Sequence, residues 1–131
     1  MPERALGNNL QVKHPDSEYA AFLKEGRFMI QRSAHSGRHV FPPRVAEPGT
    51  GVRDLEWVEA KGTGTVYSIT EISQRPPAPS TNVVLVDLDE GPRIISRVEG
   101  AFGPTLPAIG ARVKARIVSN DKGPFVVFDA V

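Results

Sequence analysis

Cysteine is missing altogether from this chain of 131 residues, and long apolar runs are missing as well. The first absence excludes disulfide bonds, thiolate catalysis and any metal site built from cysteine ligands. The second excludes a membrane-spanning helix, which needs roughly 18 apolar residues. Residues 1–15 also lack the apolar core of a signal peptide. We therefore expect a cytoplasmic protein.

A strong net charge is the third absence, since the formal charge at pH 7 is only +1. No strong field draws the chain toward nucleic acid or an anionic membrane. Hydrophobic residues make up 40% of the chain and charged residues 24%, which is typical of one globular domain or one small core with an appendage. Arginine outnumbers lysine by eleven to five. Because arginine favours planar, bidentate contacts with phosphate or carboxylate, this composition leaves room for local anion sites.

The N-terminal part of the chain predicts an arm followed by a helix. Residues 1–14 are polar and show no periodicity, so we expect a flexible arm. Tyr19, Phe22 and Leu23 then follow the i, i+3, i+4 spacing of one helix face, with Asp16 as the expected N-cap and Gly26 as the C-terminal stop. This pattern predicts a helix of about three turns whose apolar stripe packs on another surface.

Two short polar turns with one internal spacing occupy the segment 31–57. In each turn, two polar residues lie three positions apart and a glycine follows: Ser33, Ser36 and Gly37 in the first, Glu47, Thr50 and Gly51 in the second. This is the layout of a zinc ribbon, in which each turn offers two thiolates. Hydroxyl groups are poor zinc ligands and one carboxylate cannot hold the ion alone, so we predict a ribbon-like hairpin without zinc.

The remainder of the chain predicts β-structure only. Five strands are indicated by β-branched and alternating patterns, with a proline-rich loop at 74–81 after the first and a long connection at 100–110 before the fourth. Five strands with this connection fit the OB-fold, a small Greek-key barrel. We therefore predict a mainly β protein with an arm at 1–14, a helix and ribbon-like segment at 15–53, and a five-stranded OB-fold barrel at 54–131.

Several short blocks carry a resemblance to a known family. They are 28–32, the Phe41–Arg44 step between the two turns, 54–57, 62–68 and 83–91. In this order they resemble the acyl-CoA-associated domain-of-unknown-function thirty-five family, which joins an N-terminal helix, a rubredoxin-like zinc ribbon and an OB-fold. The family's four cysteine positions fall on Ser33, Ser36, Glu47 and Thr50.

The resemblance implies a modest biochemical role. Members of this family are usually small partners of thiolase-like or hydratase-like enzymes and are thought to bind or present acyl-CoA, with catalytic residues on the partner. We therefore expect a non-catalytic acyl-CoA-binding or accessory subunit that acts with such an enzyme in CoA-thioester metabolism, without a tightly bound cofactor or zinc. The face formed by Phe41, Pro42, Pro43 and Arg44 is the expected docking surface for the enzyme or its ligand.

Arginine side chains are the candidate contacts for CoA phosphates or for the partner. Five are singled out by their positions beside the ribbon or near the barrel: Arg32, Arg38, Arg44, Arg75 and Arg97. A substitute metal site of His35, His39 and Glu47 is a weaker alternative than plain loop histidines. The acidic run at 87–90 is better explained as a solvated turn than as a general acid or base.

Two other functions stay open at the level of sequence. An OB-fold can bind single-stranded nucleic acid, and Arg112, Lys114 and Arg116 form a basic stripe on one strand face. However, Tyr67 is the one strand aromatic well placed to stack on a base, and the net charge is nearly neutral, so nucleic acid is not the expected ligand. The third possibility is a purely structural partner subunit with no ligand of its own.

Overall fold

The computed structural model describes residues 14–72, 75, 81–99 and 107–131. Most of the predicted arm, most of the proline-rich loop and most of the predicted long connection lie outside these residues. The chain divides into two compact units between Ala60 and Lys61. Within the described ranges, no helix has both the length and the apolar character needed to cross a bilayer.

The N-terminal unit contains one helix and a three-stranded antiparallel sheet. The elements are α1 (Pro15–Lys24), β1 (Met29–Ser33), β2 (His39–Val40) and β3 (Leu55–Glu59), and the strand order is β2-β1-β3. The helix begins two residues earlier than the Asp16 cap would require, with His14 at the N-cap position. Proline suits the first helical position because its φ is already helical and its missing N–H has no partner there. The amide of His14 donates to Glu18 Oε2 at 3.0 Å, which satisfies one backbone N–H at the start of the helix.

The apolar stripe of α1 packs against aromatic side chains, as predicted. Phe22 meets Trp57 edge-on at 5.3 Å between ring centroids, and Tyr19 meets Phe41 in the same manner at 5.7 Å. Burial raises the pKa of Tyr19 to about 12. The indole nitrogen of Trp57 donates to Glu18 Oε1 at 2.8 Å. The helix is thus fixed to the sheet by both apolar and polar contacts.

The segment 54–60 belongs to this first unit rather than to the second. β3 pairs with β1 along its whole length, from Met29 opposite Glu59 to Ser33 opposite Leu55. The sequence prediction began the barrel at residue 54, whereas the structure begins its second unit at Lys61. An alternating strand pattern indicates which face is buried but not which strand supplies the hydrogen bonds, and this explains the difference.

The C-terminal unit is a six-stranded sheet in the order β6-β5-β4-β8-β9-β7. Its strands are β4 (Thr63–Ile72), β5 (Thr81–Leu88), β6 (Arg93–Ser96), β7 (Val98–Glu99), β8 (Arg112–Asn120) and β9 (Gly123–Ala130). β6 and β7 are separated by Arg97 alone, so the predicted third strand is one strand that changes partner. Its first half pairs antiparallel with β5 and its second half parallel with β9. These pairings are those of an OB-fold, which confirms the predicted fold class.

Valine side chains and one phenylalanine form the centre of the core of this unit. Val84, Val86, Val113, Val127 and Phe128 are fully buried. The close approach of β4 to β5 requires glycine at position 64, because a Cβ there would lie 2.6 Å from a Val86 methyl carbon and 2.7 Å from the Asp87 carbonyl oxygen.

The Asn82 side chain bridges the point where the third strand changes partner. Its Nδ2 donates to the Val98 carbonyl at 3.1 Å, and its Oδ1 accepts from the Val98 amide at 2.8 Å. Beside it, the Phe128 amide donates to the Arg97 carbonyl at 3.0 Å. One amide side chain therefore satisfies both backbone groups of Val98.

Replacing Asn82 with alanine should lower the free energy of unfolding by about 1–3 kcal/mol, because the backbone groups of Val98 lose their partners. Chemical denaturation monitored by far-UV circular dichroism measures the change. Asn120→Ala is the control, since Asn120 accepts a single bond from the exposed Lys122 amide. An equal loss of stability in both variants would contradict this role for Asn82.

Candidate functional site

The two polar turns of the N-terminal unit share one backbone geometry. In each, a glycine amide donates to the carbonyl four residues earlier, from Gly37 to Ser33 at 2.8 Å and from Gly51 to Glu47 at 2.9 Å. Both glycines have positive φ, 77° and 73°, which side chains with a Cβ adopt only at a cost. The equal spacing in the sequence therefore corresponds to equal local structure.

The Glu47 carboxylate joins the two turns. Its side chain is fully buried and accepts hydrogen bonds from Ser36 Oγ at 2.5 Å and from Thr50 Oγ1 at 2.8 Å. Arg38 donates to the same carboxylate through Nε at 3.0 Å and Nη2 at 2.8 Å. The Ser36 and Thr50 hydroxyls, together with Arg38, outweigh the opposing effect of burial and lower the pKa of Glu47 to about 2. The carboxylate is therefore ionised and fully engaged at neutral pH.

Ser33 connects the first turn to the chain that precedes β3. Its Oγ donates to the Asp54 carboxylate at 3.0 and 3.1 Å and accepts from the Ser36 amide at 3.2 Å. Asp54 also accepts from the His35 amide at 2.5 Å. We call the side chains of Ser33, Ser36, Arg38, Glu47, Thr50 and Asp54 the turn cluster.

The donor set of the turn cluster does not suit zinc. Three of its four ribbon positions offer neutral hydroxyls, and the one carboxylate is already paired with a guanidinium. No group of three or more His, Asp or Glu side chains suited to a metal ion occurs within the part of the chain that the structure describes. His35 and His39 are therefore not joined with Glu47 in such a group.

The structure separates the five candidate arginines by their partners. In the N-terminal unit, Arg32 lies 3.7 Å from the Glu56 carboxylate, and Arg38 is held by Glu47. Arg44 is exposed, and its side chain forms no ion pair with any described residue. In the C-terminal unit, Arg75 is exposed between residues outside the described ranges. Arg97 donates to Glu99 at 2.5 Å and lies 5.1 Å from the centre of the Phe125 ring.

Gln31 is the residue near these arginines that the sequence patterns do not indicate. It lies on β1 and is 0% exposed. Its Nε2 donates to the Arg44 carbonyl and its Oε1 accepts from the Arg44 amide, both at 2.7 Å. A glutamine in an apolar strand signals a buried polar contact, but its partner, thirteen residues away, follows from the tertiary structure alone.

The basic stripe on β8 is largely neutralised. Arg112 donates to Asp89 through two nitrogens at 2.8 Å each, and Arg116 donates to Asp129 at 2.7 and 3.1 Å. These bonds lower the pKa of both aspartates and raise the pKa of both arginines. Lys114 is the one member of the stripe without an ion pair to a described residue.

The ring of Tyr67 is also engaged. The Arg93 guanidinium carbon lies 3.4 Å from its centroid, and Arg93 Nε donates to Asp87 at 2.7 Å. One face of the ring is therefore covered by a cation that already has a carboxylate partner. This arrangement is unlike the open aromatic platforms on which bases stack.

Glu47→Gln should make the N-terminal unit less stable at neutral pH, because the amide loses the charge-assisted bonds to Arg38 and the hydroxyls. The folded pKa, about 2, lies below the ordinary value of 4.5. The charged form thus stabilises the fold above about pH 4.5, and this contribution is lost as pH falls toward 2.

Denaturation at several pH values tests this, with Trp57 fluorescence as the probe because the chain has one tryptophan. The difference between wild type and variant should shrink from pH 5 to pH 2. A difference that stays constant over this range would refute the role of the charge. Glu59→Gln, at an exposed position on β3, controls for the change in net charge.

Placing cysteine at Ser33, Ser36, Glu47 and Thr50 should create a zinc site, because the two turns share one backbone geometry and the side chains of Ser36, Glu47 and Thr50 already meet. Elemental analysis should find one zinc per chain in the four-cysteine variant and well below one in the wild type, both purified without chelator. A variant with cysteine at Ser33 and Ser36 alone should hold the metal weakly. A full equivalent of zinc in the wild type would show that the interpretation of the turn cluster is wrong.

Comparison with known proteins places this geometry in a family. Residues 57–118 match the family model described as the C-terminal OB-fold domain of ChsH2. A probable enoyl-CoA hydratase alpha subunit from Thermomonospora curvata is 38% identical over 101 residues. The match covers 74% of this chain and 31% of that relative, so the chain spans about a third of its length.

Solved structures agree with this match. A chain of the structure named Ltp2-ChsH2(DUF35) aldolase superposes with a TM-score of 0.76 and 29% identity, covering 91% of this chain and 96% of that one. A protein of unknown function from the DUF35 family of Sulfolobus solfataricus shares the fold, with a TM-score of 0.64 and 20% identity over 88% of this chain and 84% of that one. The chain therefore belongs to the DUF35 family of OB-fold proteins.

Proposed function

We propose that this chain is a non-catalytic accessory subunit that binds a hydratase-like or aldolase-like enzyme of CoA-thioester metabolism. The observation that carries the proposal is the likeness to a chain of the Ltp2-ChsH2(DUF35) aldolase over nearly the full length of both chains. The relative named as a hydratase alpha subunit supports the same substrate class. The proposal includes a thiolase-like enzyme as the partner, as the resemblance implies. It also includes a cytoplasmic location.

The electrostatics of the carboxylates support a non-catalytic role. Glu47, Asp89 and Asp129 have lowered pKa values because arginine or hydroxyl donors hold their charged forms. A general acid or base works best with a pKa near the ambient pH, and its reactive oxygen must be free to meet a substrate proton. These three groups are instead ionised, and each is paired with an arginine of its own chain. We therefore assign the catalytic residues to the partner enzyme.

The ion pairs also limit how this chain could bind acyl-CoA. CoA carries a 3′-phosphate and a pyrophosphate, and tight binding by one chain calls for several available cations. Arg32, Arg38 and Arg97 are each close to a carboxylate of their own chain. We propose that the ligand is held in the complex with the enzyme, and that the exposed Arg75 is the contact that this chain adds to it.

Co-expression of the tagged chain with a hydratase-like or aldolase-like enzyme of the same organism tests the proposal. The two should co-purify, and the complex should turn over an enoyl-CoA such as crotonyl-CoA, or cleave a β-hydroxyacyl-CoA, whereas the isolated chain should do neither. Turnover by the isolated chain at the rate of the complex would make it an enzyme. Failure to form a complex would contradict an accessory role.

The same purified protein can be used to test the two other functions, binding of single-stranded nucleic acid and a purely structural role. A labelled single-stranded oligonucleotide should not bind with the salt dependence of a phosphate-binding protein, because the stripe on β8 is neutralised by Asp89 and Asp129. Formation of the complex with no effect on CoA binding or turnover would favour a purely structural subunit.

A further inference from the structure

A fully buried side chain fixes the backbone of one exposed arginine. Both polar atoms of the Gln31 amide are bonded to Arg44, one to its N–H and one to its carbonyl, at 2.7 Å each. Gln31 is 0% exposed, and a buried amide is costly unless its bonds are made. These two hydrogen bonds therefore hold the backbone of Arg44, a surface residue, to a buried side chain of β1.

The Arg44 side chain has no acidic partner among the described residues, unlike Arg32 and Arg38 in the same unit. Its backbone is held on one side by Gln31 and adjoins Pro43, whose φ is fixed by its ring. Because the backbone of Arg44 is already fixed, binding an anion has to order only its side chain and not the loop as well. This combination is typical of a preorganised contact.

We propose that Arg44 forms an ion pair with a carboxylate on the partner enzyme subunit, and that Gln31 is the positioning residue for this contact. The inference rests on the proposed function. The five candidate arginines are thereby reduced to one for the partner contact, and a buried residue is added that acts through it.

A protein carboxylate fits this site better than the phosphates of CoA. One planar guanidinium matches one carboxylate through two parallel hydrogen bonds. A pyrophosphate with a further phosphate calls for several cations, but the neighbouring Arg32 and Arg38 are paired with Glu56 and Glu47. Arg44 is thus the one guanidinium of these three arginines without an ion pair to a described residue, and one guanidinium suits a single bidentate contact.

The affinity of each variant for the partner enzyme tests the assignment, with the Kd measured on the purified proteins by calorimetry. Arg44→Glu should raise the Kd by about tenfold or more, because the charge pair becomes a repulsion. Arg44→Lys should raise it less, since a lysine keeps the charge but not the bidentate geometry. Arg53→Glu is the matched control: Arg53 is exposed and unpaired in the same part of the chain, but no described side chain holds its backbone.

Gln31→Met separates positioning from a general effect on stability. It should weaken binding in the wild-type background, with the fold checked by circular dichroism. If Gln31 acts through Arg44, the same change should have little further effect on the Kd in the Arg44→Glu background. Equal effects in both backgrounds would show that Gln31 has only a structural role and would overturn its assignment.

Titration with CoA distinguishes the two sources of negative charge. Arg44→Glu should leave the affinity of the chain for CoA unchanged while it weakens the complex with the enzyme. The reverse result would overturn the proposal in favour of a phosphate contact. If wild type and Arg44→Glu bind the enzyme equally well, the inference fails but the proposed function stands, whereas absence of any wild-type complex would defeat both.

Discussion

The buried carboxylate of Glu47 is the interaction on which the N-terminal unit depends. An isolated charge in the interior is costly, so it must be matched by donors from several parts of the chain. Ser36 and Arg38 come from the first turn and Thr50 from the second, so satisfying this carboxylate closes one turn on the other. The guanidinium of Arg38 supplies the positive charge that a metal supplies in a zinc ribbon.

The positions of these two turns also determine where Arg44 lies on the surface. Ser33 joins the first turn to Asp54, next to the start of β3, while β1 carries Gln31 two residues before that turn. The segment between the two turns is held in addition by the hydrogen bonds between the Gln31 side chain and the Arg44 backbone. The hydrogen bonds of two buried side chains, Gln31 and Glu47, therefore hold the loop that presents Arg44.

Periodicity predicted the helix, the strands and the fold class, because these depend on which face of an element is apolar. It did not predict that β3 pairs with β1 or that the third barrel strand changes partner at Arg97. Those features depend on backbone hydrogen bonds, which carry no trace in the hydrophobic pattern. The amide of Asn82, which makes the change of partner possible, looked like an ordinary polar residue at the start of a strand.

The candidate site was predicted in outline but not in its chemistry, for a related reason. Spacing identified the two turns, yet Arg32, Arg38 and Arg44 looked equivalent. The carboxylates that distinguish them are distant in sequence, since Glu47 lies nine residues after Arg38 and Glu56 lies twenty-four residues after Arg32. Four thiolates around zinc respond to oxidants and chelators, whereas a carboxylate held by hydroxyls and arginine responds to acid. We therefore expect the two turns of this chain to keep their shape, and with it the position of Arg44, in the presence of chelators and oxidants.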